Sequence, residues 1–206
     1  SHALMAKAYD AANNVSSDND TSVTVSNSTA GTTTVTFGSI AADDGYVKAN
    51  ADGTSPAVGT ITTPALGKGS DGKYNRSLFS FDTSTLPDTA TIVRASLKVT
   101  LSSASGDPWA DPTANTLTID LKNGTFGTAA TETTDYTAAA TAPAVAQLIK
   151  FTTGAQSSTD FNAAGLAAIN TTGKTQARLQ FAQNQAAMTY LFLTEGTGAV
   201  LTVEYK

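Results

Sequence analysis

The sequence predicts an all-β chain, an antiparallel β-sandwich of jelly-roll type with one short helix. Three observations predict it. Short segments with alternating apolar and polar residues recur, as where Leu97, Val99 and Leu101 alternate with Ser96, Lys98 and Thr100, and a period of two marks a strand with one buried face. About one residue in six is Thr, whose branched Cβ packs on a pleated surface while its hydroxyl meets water. Only one segment has helical spacing, so successive strands lack the helical crossovers that parallel sheets require.

Residues 1–20 are polar and without period. Ser1-His2-Ala3-Leu4-Met5 has the look of a vector scar, and the rest reads as a mobile arm, so a single module is expected over residues 21–206. Ser22-Val23-Thr24-Val25 and Thr34-Val35-Thr36-Phe37 alternate around a turn-rich connection. Tyr46-Val47-Lys48-Ala49 is a further short strand, and short strands are expected near Thr60-Ile61-Thr62 and Ala65-Leu66 inside a Gly- and Pro-rich loop. Asn75-Arg76-Ser77-Leu78-Phe79-Ser80-Phe81-Asp82 is too apolar for an exposed strand, and a Leu86-Pro87 turn leads from it to the strand at residues 92–101. Residues 102–115 read as a loop, Leu117-Thr118-Ile119-Asp120-Leu121 as a strand, and residues 128–146 as an Ala/Thr-rich span without period. A strand is expected from Gln147 to Phe151, and a helix of two or three turns over residues 160–170, with Phe161, Leu166 and Ile169 on one face and Gly173 beyond its end. Alternation then predicts three closing strands, at residues 176–181, 189–194 and 200–205.

Composition narrows the chemistry. Charged residues make up 14% of the chain, its net charge is −5, and the pI is 4.6. There is no basic run with interleaved aromatics, so nucleic acid is not an expected partner. No apolar stretch approaches the roughly 18 residues of a membrane-spanning helix. Cys is absent, which removes disulfides, zinc–thiolate sites and thiol nucleophiles. The one His, His2, lies in the apparent scar, so a Ser-His-Asp triad, a His metal site and a His general base are all missing. The 17 acidic residues leave carboxylate-pair catalysis open, but none stands in a recognisable constellation, and no enzyme activity is expected.

Taken in order, several pieces resemble the DNRLRE-domain family: Asp44-Gly45-Tyr46-Val47, the segment from Asn75 to Asp82, Leu86-Pro87, residues 92–101, Leu117 to Gly127, Asp135-Tyr136, residues 165–170, Gly173 to Phe181, and Glu195 before Leu201-Thr202-Val203-Glu204-Tyr205. The resemblance covers about residues 35–206. It implies a β-sandwich module of a secreted or cell-surface protein, attached to other domains of the same parent chain. Some such modules resemble carbohydrate-binding modules, and others have no assigned role. Gln180 stands where related sequences often carry Arg, which puts a buried charge and its carboxylate partner in doubt. Ala182-Gln183-Asn184-Gln185 stands where an acidic turn is common.

The expected function is therefore adhesion or polysaccharide binding by a non-catalytic extracellular module, with a structural spacer or stalk as the alternative. Sugars offer apolar C–H faces to aromatic rings and hydroxyls to polar groups. Trp109, the only Trp, in a Pro-bounded polar loop, and Tyr74, Arg76 and Tyr136 are the candidate ligand-binding residues; for Trp109 a buried loop anchor is the competing reading. A structural calcium is expected from Asp43, Asp44, Asp52 and Glu195, because hard cations collect carboxylate and carbonyl oxygens and terminal strands of a jelly roll lie side by side. Against it, Asp-Gly pairs are ordinary turns. Asp107 and Asp111 flank Trp109 as a second carboxylate group. Lys98, Lys122 and Gln180 are candidates for an internal crosslink, and the Thr-x-Thr runs are too few for a regular ice-binding row.

Overall fold

A computed structural model describes residues 6–12, 15–18, 31–60 and 63–206. It divides into two units, residues 1–31 and 32–206. In the first, β1 (Ala6–Tyr9) and β2 (Val15–Asp18) pair antiparallel, from Tyr9 opposite Val15 to Ala6 opposite Asp18. Asp10 accepts from the Ala12 amide in the turn between them. The sequence suggested an arm because segments made mainly of Ala, Ser and single charged residues show no apolar alternation, while their pairing needs only backbone hydrogen bonds. The strand expected at residues 22–25 lies outside the described residues, as do His2 and two of the three residues of the Thr60-Ile61-Thr62 strand.

The second unit holds β3 (Thr33–Gly38), β4 (Gly45–Ala49), β5 (Ala57–Val58), β6 (Ala65–Lys68), β7 (Tyr74–Asp82), β8 (Ile92–Ser105), β9 (Leu117–Asn123), β10 (Ala142–Leu148), β11 (Ala155–Ser157), a one-turn helix α1 (Ala163–Ala167), β12 (Lys174–Phe181), β13 (Tyr190–Leu193) and β14 (Ala199–Tyr205). Every ladder between these strands is antiparallel. The hydrogen-bonded order is β10-β9-β12-β7-β6-β13-β8-β14-β3, with β4 on the other edge of β7, β5 beyond it, and β11 beside β8.

The sheet turns over at β7. Residues 77–82 of β7 pair with β12, whereas Tyr74 and Asn75 pair with β6. One side of the resulting sandwich therefore carries β10, β9, β12 and β7, and the other carries β6, β13, β8, β14 and β3. Period-two alternation sends Phe79 and Phe81, Leu117, Ile119 and Leu121, Ala177 and Leu179 inward to meet Leu97, Val99, Leu191, Leu193, Leu201 and Val203 in one core. Residues 158–162 close one flank. The Ser158 and Phe161 amides donate to Leu97 and Ala95 of β8, and the Thr159 and Asn162 amides donate to Gln147 and Val145 of β10.

Leu78 points the other way from Phe79 and is buried just as completely. A second cluster forms on that outer face, where Phe126 and Tyr136 from residues 124–141 cover Val47, Ala49 and Leu78. The Ala/Thr-rich span without period is thus a flap folded over the sheet, which explains both its lack of alternation and the excess apolarity of β7.

Three boundaries move from expectation. β8 continues through Ser102, Ser103 and Ala104, which the sequence presented as loop, because their pairing with β13 uses backbone groups and their side chains stay exposed. The strand expected from Gln147 to Phe151 instead runs Ala142–Leu148, with a register shift between Ala142 and Ala146, and Ile149 lies exposed beyond it. The helix keeps one turn of the two or three expected. Asn162 caps it by accepting from the Gly165 amide at 2.9 Å, Phe161 and Ile169 reach the core from its ends, and Leu166 packs against that core. A Cβ on Gly165 would fall 2.7 Å from Val145 Cβ, so only glycine lets this turn sit so close to β10.

Candidate ligand-binding cleft

The residues singled out from sequence separate into three places. Trp109 is a loop anchor. It is 9% exposed and packs edge-on against Phe151 and Phe181 at centroid distances of 5.6 and 5.3 Å, so its indole is committed to the core rather than to solvent. Asp107, beside it, is ion-paired with Lys150, and Asp111 accepts from the Ala187 amide.

Tyr74, Arg76 and Tyr136 do come together, but under the flap. The Arg76 guanidinium lies 3.9 Å over the Tyr136 ring and donates to the Tyr136 carbonyl. Arg178 beside it donates to the Asp135 and Ala138 carbonyls at 2.7 and 2.8 Å and pairs with Asp120 at 2.8 Å. Burial lowers the Arg76 pKa, with the nearby Arg178 charge acting in the same direction. Tyr74 Oη donates to the Gln185 carbonyl at 3.0 Å. These residues border a gap of about 20 Å³, the scale of one ordered water, into whose lining the unpartnered buried Gln180 Oε1 and Gln185 Nε2 fall. The two arginines therefore fasten the flap. Gln180 does not leave a carboxylate unheld: its Nε2 donates to Asp120 at 3.1 Å beside the Arg178 pair. Lys122 donates to the Ala139 carbonyl, and Lys98 is exposed, so the residues suspected of a crosslink have these other settings.

The carboxylates set aside for calcium are only partly joined. β3 pairs with β14, and the chain beyond each strand meets where the Gly196 amide donates to Asp44. Asp44 is buried and accepts from Ser39 Oγ at 2.5 Å, the Gly196 amide at 2.9 Å and the Ser80 amide at 3.2 Å. Burial raises its pKa against these donors, and the Glu195 charge adds to the rise. Among the described residues, the buried Glu195 Oε2 has no hydrogen-bond partner. Asp43, in contrast, pairs with Lys174 at 2.5 Å. Asp52 is exposed and holds the Thr54 amide and hydroxyl, an Asx turn. Among the described residues no group of three or more His, Cys, Asp or Glu gathers.

A larger feature opens where β7 meets β4 and β6. Residues directly opposite one another in an antiparallel ladder share a face. Tyr46 lies opposite Ser77, Lys48 opposite Asn75, Asn75 opposite Gly67, Gly67 opposite Tyr190, and Ala65 opposite Phe192. Tyr46, Lys48, Asn75, Ala65, Tyr190 and Phe192 therefore face the same side, while Leu66 and Leu191 between them enter the core. With only Ala65 projecting from β6, the floor is low between aromatic walls, and a cleft of about 300 Å³ results.

Its groups are held in place. The Tyr46 ring lies against Gly59, where a Cβ would fall 2.0 Å from the ring, and the Gly59 amide donates to the Tyr46 carbonyl at 2.8 Å. Tyr190 and Phe192 meet edge-to-face at 5.3 Å. Lys48 Nζ lies 2.9 Å from Asp71 Oδ2, and Asp71 Oδ1 also accepts from the Lys73 amide. The hydrogen bond to Asp71 raises the Lys48 pKa. Burial raises that of Asp71, but the Lys48 and Lys73 hydrogen bonds outweigh it and hold the carboxyl below its usual range. Asn75 is 8% exposed, and among the described residues its carboxamide makes no hydrogen bond. Its carboxamide N and O are not buried orphans: they meet the solvent of the cleft, where an entering group can reach them.

Sequence reasoning named Asn75 only as part of a strand and passed over Tyr190 and Phe192. One signal was present: Tyr190-Leu191-Phe192-Leu193 is apolar on both faces of a strand, yet no flap-like segment adjoins it in sequence. Compared with known families and curated proteins, the chain matches no family model and no curated sequence.

Proposed function

We propose that the second unit is a non-catalytic module that binds polysaccharide through the cleft between Tyr46 and Tyr190, and that it serves adhesion to glycan as part of a secreted or cell-surface protein of the DNRLRE type. The observation that carries this reading is a cleft of about 300 Å³ walled by aromatic rings, with the Asn75 carboxamide in its lining and without a hydrogen-bond partner among the described residues. Aromatic faces and a few fixed polar groups are what a sugar-sized ligand requires. The Lys48–Asp71 pair adds donors and an acceptor at the same opening. A hydroxyl- and amide-rich surface with 14% charged residues accords with an extracellular setting.

Calorimetric titration against soluble polysaccharides tests it. Saturable binding is expected, weakened about tenfold or more in Asn75→Ala, with the melting midpoint near that of the parent. Absence of binding across the panel turns the reading to the spacer alternative. The calcium part of the reading narrows to Asp44 and Glu195, whose unpartnered Oε2 a cation would satisfy. A melting midpoint that falls in chelator and returns with added calcium supports it, because a ligand held only by the native state raises stability; an unmoved midpoint removes it.

A further inference from the structure

We infer that the cleft selects uncharged glycan units bearing neighbouring hydroxyls, and that the Lys48–Asp71 pair reads those hydroxyls rather than a ligand charge. The inference rests on the polysaccharide reading of the cleft and adds the class of sugar.

The charges at the opening cancel. Lys48 and Asp71 sit 2.9 Å apart, with side-chain exposures of 21% and 41%, so both are reachable from the cleft. Among the described residues that line the cleft, Lys48 is the one cation, and Asp71 pairs it. Lys73 and Lys68 lie outside that lining and keep their charge, with Nζ donating to the Ser55 and Ala186 carbonyls. The lining therefore offers a uronate or sulfate no unpaired cation. A bound anion would have to displace Asp71 from Lys48 or stand beside the Asp71 carboxylate. It would also approach a chain of net charge −5, which slows and weakens association with polyanions.

A neutral diol meets none of these costs. An ammonium group only donates hydrogen bonds and a carboxylate only accepts them, whereas a hydroxyl does both. Two adjacent hydroxyls can therefore accept from Lys48 and donate to Asp71 without separating the pair. The Asn75 carboxamide, which carries both a donor and an acceptor, is suited to a third polar atom of the same unit. Tyr190 and Phe192 supply the apolar wall for the C–H face. At about 300 Å³ the cleft is at the low end of small-molecule sites, which fits a short stretch of glycan rather than a long groove-bound chain.

The test is calorimetric titration of the intact chain with two polymer sets at low and high salt. The neutral set is β-glucan, xylan, glucomannan and dextran; the acidic set is polygalacturonate, alginate and heparin. Expected is binding to at least one neutral polymer, with affinity changing by less than about twofold with salt, since no net charge is neutralised. Lys48→Gln and Asp71→Asn should each weaken it about tenfold, because each removes a charged hydrogen-bond partner. Both variants should keep the parent's circular dichroism and lose only the small stability of a partly exposed ion pair, which separates lost recognition from lost fold. Binding confined to acidic polymers, falling with salt and abolished by Lys48→Gln, overturns the neutral class and leaves the cleft as a glycan site. Neutral binding untouched by both variants overturns the role given to the ion pair. No binding by any polymer overturns the polysaccharide reading, and this inference with it.

Discussion

The Arg178–Asp120 pair beneath the flap and the Lys48–Asp71 pair at the cleft are alike in chemistry and in length, 2.8 and 2.9 Å. Each joins a cation to a carboxylate beside aromatic rings on the same antiparallel sheet. They differ in cover. Side-chain exposures are 6% and 4% for the first pair, against 21% and 41% for the second. Under the flap, Asp135, Ala138 and Gln180 use up most of the available donors and acceptors. At the cleft nothing in the described chain closes over the pair, and the adjoining Asn75 amide stays unused. The contrast is one of cover rather than of completeness, since Arg178 Nε, Asp135 Oδ1 and Gln180 Oε1 stay unpartnered among the described residues: the chain closes over one polar cluster and leaves the other open to a ligand. It also shows why Arg76 and Tyr136, which look like a sugar platform in sequence, are flap fasteners.

The sharpest way to break this contrast is at the buried pair. Arg178→Met should cost about 3–5 kcal/mol, because Asp120 is left buried and uncompensated, and an Arg178→Met/Asp120→Leu double variant should recover most of that loss. Urea denaturation measures both; a single variant that loses less than about 1 kcal/mol would place the pair in the weak class of exposed bridges. Next in size is Gly59→Ala. Its Cβ would meet the Tyr46 ring, so the ring or the 57–60 turn must shift, at about 1–3 kcal/mol. Binding should fall with it, which a titration beside a melt would register.

Lys48→Gln lies at the other end of the comparison. A partly exposed bridge contributes roughly 0.2–1 kcal/mol, so its stability change should be small while its binding change is large. A stability loss near that of Arg178→Met would erase the distinction between the two ion pairs.

The smallest effect is in pH. Burial raises the pKa of Asp135 and Asp44 above the ordinary 3.8, so between 3.8 and the raised values the native state holds more protons than the unfolded one. Stability from these two groups is then present below 3.8 and is lost as pH rises through their folded values. Asp71 has the opposite sign: its lowered carboxyl contributes above 3.8 and loses that contribution as acid protonates it. Melting midpoints should therefore rise slightly as pH falls from neutral toward about 4 and drop below it. Asp135→Asn should flatten the upper limb, and an unchanged upper limb would remove Asp135 as its source.

Alternation is legible wherever one face of a strand is buried and the other wet. Leu97, Val99, Leu201 and Val203 announced β8 and β14 in this way. It fails for Ser102 to Ser105 and for Ala142 to Leu148, where strands are held by backbone pairing and carry small residues on both faces. It is also silent about cover. Phe79 and Leu78 look equivalent in the sequence, but one is buried by the opposite half of the sandwich and the other by a flap some fifty residues away in the chain.

The sequence by itself determined the antiparallel β class, the inward faces of most strands, and the lack of Cys. These follow from local period and residue type. Tertiary structure alone decided which polar clusters are closed and which is open. Asn75, Lys48, Asp71, Tyr46, Tyr190 and Phe192 are spread across some 150 positions of the chain, and only the register of β4, β7, β6 and β13 sets them on one side. A cleft is a relation between strands, and a one-dimensional period carries no record of it.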